Sequence, residues 1–221
     1  MSEQLSEWES KALLGERLPR PRELLSRASA EAVDFAGQIG GPVVAKASGV
    51  AHKSDAQLVR LGLDATSLAA CWDELAAAGD GTVLVAEQVA AELEMIVGGL
   101  RDPQFGPLVS LGLGGVAAEV FDDVVFVLAP PEPGELDAAI AELRIAPLLA
   151  GHRGRPPVDR QALAEIVDAV ADLLTSDPGV VEIDCNPVMV SGGRPVVVDA
   201  LVVRTAVDGG GTPPVTIDDT R

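Results

Sequence analysis

Two apolar runs, 180–185 and 195–203, are joined by Ser191-Gly192-Gly193-Arg194 and predict two antiparallel strands closed by a hairpin turn. A strand has a period of two, so Glu182, Asp184 and Asn186 share one face, while Val181, Ile183 and Cys185 share the other. With the turn centred between Gly192 and Gly193, Asp199 stands opposite Asn186. Asp199 follows the apolar run Val196-Val197-Val198, and a carboxylate held there among other carboxylates is costly unless a cation neutralises it. Oxygen donors of this kind suit Mg²⁺ or Mn²⁺ bound partly through a substrate phosphate. The plainer alternative is a solvated sheet face with a few paired acids.

The rest of the chain places this hairpin in a mixed architecture. Helices are expected over 5–14, over 30–38 behind a Ser29 cap, over 66–78 and over 136–143. The strongest helix runs over 159–174, where Leu163, Ile166, Val167, Val170 and Leu174 form one stripe behind an Asp159 cap. Short strands are expected at 43–46, 56–63, 82–86, 94–98, 108–113 and 124–128. This order is neither a strict alternation of strand and helix nor a run of one element type. It predicts an α+β fold with mostly antiparallel sheets. The polar stretch 87–93 suggests a boundary between two subdomains, 1–90 and 91–205, followed by a disordered tail over 206–221.

At 221 residues the chain is one large domain or two small ones, on a prior of about 150 residues per domain. A hydrophobic fraction of 48% supports a sizeable core. The formal charge of −18 repels phosphate backbones and anionic lipid, so neither nucleic acid nor a membrane surface is an expected partner. The two cysteines, Cys71 and Cys185, form no CxxC, which argues against a zinc site or a disulfide framework and fits a reducing compartment. The polar, acidic N-terminus is unlike a signal peptide, and no apolar run reaches the roughly 18 residues of a membrane helix. A soluble cytoplasmic protein is the expectation.

Positive charge is scarce, so its placement is informative. There are three lysines, Lys11, Lys46 and Lys53. Lys46 ends an apolar strand, where its ammonium could hold a phosphate or simply snorkel at a sheet edge. His52 lies in a loop between Gly49 and Asp55, where an imidazole could face an anion as base or nucleophile, or serve as a surface residue. Arg101, in an expected loop over 101–107, is either a phosphate clamp or a turn anchor. Gly114 and Gly115 follow a strand, and their backbone could approach a phosphate closely or form a tight turn. The GLGGVA run matches the dinucleotide fingerprint in spacing, but the next strand begins too soon for the helical crossover that fingerprint needs.

Taken together, IGGPVVAK, HKSD, EMIVGGLRDPQFGPLVSLGLGG, APLLAGHRGRPP and EIDCNP followed by VVVDA occur in the order seen in the ATP-grasp domain of ADP-forming acyl-CoA (acetate–CoA) ligases, relatives of the succinyl-CoA synthetase β subunit. The resemblance covers about residues 8–203. It implies an ATP-grasp fold of two α+β subdomains gripping a nucleotide. It implies the reaction acyl-CoA + ADP + phosphate ⇌ acid + ATP + CoA, with phosphoryl carried as phosphohistidine and a CoA-binding α-type subunit or fused domain as partner, in a homo- or hetero-oligomer. By the same resemblance, Lys46 contacts nucleotide phosphates, Glu87, Gln88 and Val89 form the adenine hinge, and Glu94 binds ribose. Asp184, Asn186 and Asp199 match Mg²⁺ positions and His52 matches a phosphoryl relay, while Arg101, Gly114 and Gly115, candidate phosphate contacts on the residues alone, are placed with the nucleotide site. The chain departs from the family at Ala56-Gln57-Leu58-Val59, where glycines are usual, and at Val127, where a basic residue is usual. A nucleotide-binding regulatory or scaffolding subunit without turnover is the alternative reading.

Overall fold

Each strand pairing in the computed structural model, which describes residues 2–50, 58–115 and 118–205, is antiparallel, as the strand and turn pattern predicts. The first sheet contains β2 (Glu23–Ser26), β3 (Val43–Ala47), β4 (Val59–Leu63) and β5 (Val83–Glu87) in the order β2-β5-β3-β4. Helices α2 (Ser29–Ile39) and α3 (Ala65–Ala78) bury Ala32, Ala36, Leu68, Trp72 and Leu75 against it. A reciprocal cap starts α3: the Asp64 carboxylate accepts from the Ser67 amide at 2.8 Å, and the Ser67 hydroxyl accepts from the Asp64 amide at 2.9 Å. The Ser67 hydroxyl, which also donates to Asp64 Oδ1 at 2.6 Å, and then the Ser67 amide hold the Asp64 carboxyl below the usual aspartate range. Buried Trp72 donates its indole N–H to Ser26 Oγ at 2.8 Å. The expected Ser29 cap is corrected. Ser29 is the first helical residue, Ala28 offers no side-chain cap, and Glu31 reaches back to accept from the Arg27 amide at 2.9 Å.

The second sheet is larger. It contains β6 (Leu93–Asp102), β7 (Gly106–Leu113), β8 (Val124–Leu128), β9 (Val180–Ser191), β10 (Arg194–Val197) and β11 (Leu201–Thr205). The strands β11-β9-β6-β7-β8 are consecutive neighbours and β10 also pairs with β9. Its helical face carries α7 (Arg160–Ser176), whose predicted stripe of Leu163, Ile166, Val167, Val170 and Leu174 is fully buried. Asp159 caps α7 by accepting from the Gln161 and Ala162 amides at 3.0 and 3.1 Å. The helix lies so close to β6 that a Cβ on Gly99 would stand 2.6 Å from both Leu174 and Val170 side-chain carbons. A short helix α4 (Ala118–Phe121) links β7 to β8, and helices α5 (Glu135–Glu142) and α6 (Ala146–Leu149) cover the remainder of that face through Ile140 and Leu149.

The hairpin has the register set by Gly192-Gly193. Arg194 pairs with Ser191 and Val197 with Val188, and past a short break Leu201 pairs with Asp184 and Val203 with Glu182. Continued through the break, this register sets Asp199 opposite Asn186. Ile183 and Cys185 face the core, whereas Glu182 and Asn186 are exposed and Asp184 is half-buried. At Asn186-Pro187 two β9 residues oppose Ile96 alone, because Met95 pairs with Val188 and Val97 with Cys185. This bulge shifts the buried set from odd to even numbers, and Val188 and Val190 continue the core.

The division expected at residue 90 is crossed by the N-terminus. β1 (Ser2–Gln4) pairs with β11, and α1 (Glu7–Leu14) follows it on the same sheet. Leu5 donates to Val202 O at 3.0 Å and Val202 donates to Ser10 Oγ at 3.0 Å. The physical reason is the open edge of β11, whose backbone groups take up a short polar strand that has no apolar pattern of its own. The loop expected at 49–55 lies mostly outside the described residues, as does the tail expected to be disordered over 206–221.

Candidate functional site

Four residues singled out from the sequence meet at one place. Asp184, Asn186 and Asp199 line a cavity of about 650 Å³, together with Glu7 from α1 and Ser48 and Gly49 at the end of β3. The cavity therefore opens between the two sheets. Beside it lies the buried Lys46 side chain, whose ammonium donates to Glu7 Oε1 at 2.8 Å and to Val198 O at 2.8 Å, and stands 3.8 Å from Asp199 Oδ2. Burial first, and then the Glu182 charge, push the Asp184 carboxyl above the usual range, with a hydrogen bond from Asn186 partly offsetting them. A half-buried carboxylate with another carboxylate near it on the strand is a group that a cation would stabilise.

The donor set fits a hard divalent ion. Among the described residues, no three or more His, Cys, Asp or Glu side chains form a metal cluster by themselves. Within the cavity, Asp184, Asp199 and Asn186 offer two carboxylates and one amide oxygen, a set that suits Mg²⁺ completing its shell with water and substrate phosphate, and Glu7, Glu9 and Asp80 line the same cavity.

Glu87, Gln88 and Val89 line a second cavity of about 370 Å³ with Pro19, Arg20 and Ser191. Their stretch is held rigidly. Glu87 N donates to Arg22 O at 2.8 Å, Gln88 N to Pro42 O at 3.0 Å, and Gln88 Oε1 accepts from Gly62 N at 2.6 Å. Glu94, Gly114 and Gly115 form a third group. Gly114 N donates to Glu94 O at 2.8 Å, and a Cβ on Gly114 would sit 2.8 Å from the Met95 carbonyl carbon, so close backbone packing by itself requires this glycine. Gly115 adopts φ 66° beside the Glu94 carboxylate. His52 lies outside the described residues.

The expectation for Arg101 is corrected. β6 extends to Asp102, and its odd-numbered residues face α7, so Arg101 points away from the cavity. Its guanidinium donates to Leu174 O, to Val180 O at 3.3 Å and to Asp177 O at 3.3 Å, closing the C-terminal end of α7. Arg101→Ala is expected to lower stability by about 2 kcal/mol, read as a lower urea midpoint. The same variant is expected to leave the affinity for Mg-ADP unchanged in calorimetric titration. Val127, where the family pattern has a basic residue, is likewise buried on the helical face and not in the cavity.

Sequence reasoning missed the ionic cluster behind Lys46. Lys11 is fully buried and donates to Glu7 Oε1 at 2.8 Å, Glu23 Oε2 at 2.7 Å and Val198 O at 3.2 Å. The Glu7 and Lys11 pair is legible as an i, i+4 spacing on a helix. Glu23 and Val198 are not local to it.

A family described as "ATP-grasp domain" matches residues 1–203. The chain is 36% identical over 197 residues to the β subunit of ADP-forming acetate–CoA ligase I of Pyrococcus furiosus, covering 84% of this chain and 85% of that protein. It is 37% identical over 186 residues to the ADP-forming 4-hydroxybutyrate–CoA ligase of Nitrosopumilus maritimus, covering 78% of this chain but 26% of that longer protein. A solved structure of Ca. Korarchaeum cryptofilum dinucleotide-forming acetyl-coenzyme A synthetase 1 superimposes with a TM-score of 0.76 at 34% identity, covering 90% of this chain and 92% of that one. That structure holds coenzyme A and Mg-AMPPCP, with its phosphohistidine segment pointing towards the nucleotide-binding site.

Proposed function

This chain belongs to the ATP-grasp domain family, in the branch of the ADP-forming acetate–CoA ligase β subunits, and from that premise we propose that it is the nucleotide-binding β-type subunit of an acid–thiol ligase. The overall reaction is acyl-CoA + ADP + phosphate ⇌ acid + ATP + CoA. Its last step exchanges the phosphorus–nitrogen bond of a phosphohistidine for a phosphorus–oxygen bond to the terminal phosphate of ADP, and this chain provides the ADP side of that exchange. The observation that supports the reading is the convergence of Asp184, Asn186 and Asp199 on one cavity, with the Lys46 ammonium 3.8 Å from Asp199.

Each group has a task that its chemistry suits. Asp184, Asn186 and Asp199 hold Mg²⁺, which supplies charge neutralisation to the phosphate oxygens when the nucleotide is bound. Lys46 adds a fixed positive charge on the first-sheet side of the cavity. Glu87, Gln88 and Val89 receive the adenine in the second cavity, with Glu94 for the ribose and the Gly114-Gly115 backbone near the phosphates. His52 relays phosphoryl from the partner. The partner is a CoA-binding α-type subunit. Among the described residues no helix is long and apolar enough to cross a membrane, and the cytoplasm is the proposed location.

The test is reconstitution. The chain is mixed with a candidate α-type subunit, acyl-CoA, phosphate, ADP and Mg²⁺, and ATP is measured. Mg-dependent ATP formation is the expected result, and radiolabel from γ-labelled ATP should appear on the wild-type chain but not on His52→Ala. Nucleotide binding without ATP formation with any α-type subunit would overturn turnover and leave a regulatory or scaffolding module.

A further inference from the structure

We propose that Glu7, on a helix outside the expected nucleotide-binding set, is a positioning residue that draws the Lys46 ammonium to itself at 2.8 Å and so keeps its ion pair with Asp199 loose, at 3.8 Å, where a divalent cation can compete for that carboxylate. The inference rests on the functional reading above and deepens it. Glu7 is 3% exposed, and its Oε1 stands 2.8 Å from both Lys46 Nζ and Lys11 Nζ. Lys46 and Lys11 also share Val198 O, the carbonyl immediately before Asp199. Two cations on one carboxylate oxygen are stable only with further anions nearby, and Glu23 supplies one to Lys11 at 2.7 Å.

Glu7 holds its place independently of Lys46. The bonds from Leu5 to Val202 and from Val202 to Ser10 fix α1 to β11, in the same sheet as Asp184. Lys46 comes from β3 in the other sheet. The carboxylate thus anchors a flexible side chain of one subdomain to the frame of the other. Among the described residues, the other carboxylate paired with that ammonium is Asp199, at 3.8 Å. An ammonium on a four-carbon stem that loses Glu7, though still bonded to Val198 O, tightens its existing pair with Asp199 by rotamer changes alone, and then competes more strongly with the cation for that carboxylate. The cluster also connects the two cavities, since Arg20 in the second cavity pairs with Glu23 at 3.4 Å and Glu7 lines the first.

The experiment is calorimetric titration of ADP into the full chain across a series of Mg²⁺ concentrations, with thermal melts in parallel. In Glu7→Gln the Mg²⁺ concentration that half-saturates ADP binding is expected to rise about tenfold, equivalent to one decade in the binding constant. ADP affinity without Mg²⁺ should hold or increase, because a negative charge has left the vicinity of the phosphates. The double variant Glu7→Gln/Lys46→Met removes the competing ammonium and is expected to return the Mg²⁺ requirement towards that of Lys46→Met alone. It also leaves no bare charge at position 46, which guards against a failure to fold. An unchanged Mg²⁺ requirement in folded Glu7→Gln overturns the proposal. So does an equal loss of affinity with and without Mg²⁺, which is the mark of a merely structural residue, and so does absence of rescue in the double variant. No ADP binding by the wild-type chain at any Mg²⁺ concentration would instead overturn the functional reading, and this inference with it.

Discussion

Asp199→Ala is expected to lower Mg-dependent ATP formation by roughly 10²–10³-fold at saturating Mg²⁺, the loss typical of removing one preorganised group that stabilises charge in a transition state. The side chain is 36% exposed and lies in the irregular link between β10 and β11, so its removal leaves the core intact. Thermal melting should therefore show a folded protein of near wild-type stability. The charge argument gives the sign. Asp199 and Asp184 line one cavity, and Asp184 is already pushed towards its neutral form by burial and by Glu182. Removing Asp199 takes one anionic oxygen donor out of that cavity, which weakens the hold on a divalent cation. Asp199→Asn retains an oxygen donor without the charge and should fall between wild type and Asp199→Ala. A folded Asp199→Ala chain with undiminished ATP formation, measured with the α-type subunit present, would remove this residue from the metal site. It would also undercut the convergence of oxygen donors on which the function rests.

The sequence made this part of the site legible because it depends on local rules. The two glycines at the hairpin tip set a register and the period of two set the faces, and the pairings on either side of residues 198–200 keep that register, Val197 with Val188 and Leu201 with Asp184. The stripe on α7 was legible for the same reason, since five apolar residues at helical spacing leave no other face to bury. The misreadings have equally definite causes. Gly98-Gly99 read as a strand end, whereas β6 uses Gly99 for close approach of α7 and runs on to Asp102. That extension carries Arg101 to the helical face, so a residue expected at a phosphate instead closes a helix end. β1 escaped notice because Ser2, Glu3 and Gln4 have no hydrophobic pattern, and their strand conformation comes entirely from the edge of β11. Glu87, Gln88 and Val89 were assigned by resemblance alone, and the geometry adds that they border a cavity distinct from that of Asp184.

Lys11→Ala is expected to cost about 3–5 kcal/mol, because it removes the fully buried cation between Glu7 and Glu23 and leaves Glu7 with Lys46 at 2.8 Å and Glu23 with the more distant Arg20 at 3.4 Å. The side chains of Glu7 and Glu23 are 2% and 4% exposed, so water cannot take over the role of the ammonium. Total stabilities of natural domains are about 5–15 kcal/mol, and a loss of this size should move the urea midpoint far down or leave the chain partly unfolded at ambient temperature. The pH dependence follows from the same contacts. Burial alone would lower the Lys11 pKa and is the largest single influence, but the attraction of Glu7 and then Glu23, with their hydrogen bonds, outweighs it and raises the pKa. A cationic group whose folded pKa is raised contributes stability that is complete below the ordinary lysine value and is lost as pH climbs through the folded value. The gap in urea midpoint between wild type and Lys11→Ala should accordingly stay constant through neutral pH and narrow only in strongly alkaline solution. A gap that narrows between pH 6 and 9, or a variant as stable as wild type at neutral pH, would mean that Lys11 is not the charge holding Glu7 and Glu23 together. Because Glu7 also anchors Lys46 at 2.8 Å, folded Lys11→Ala protein recovered at low temperature should retain less Mg-ADP affinity than wild type. Loss of this buried ammonium would then register both in the stability of the fold and at the nucleotide site.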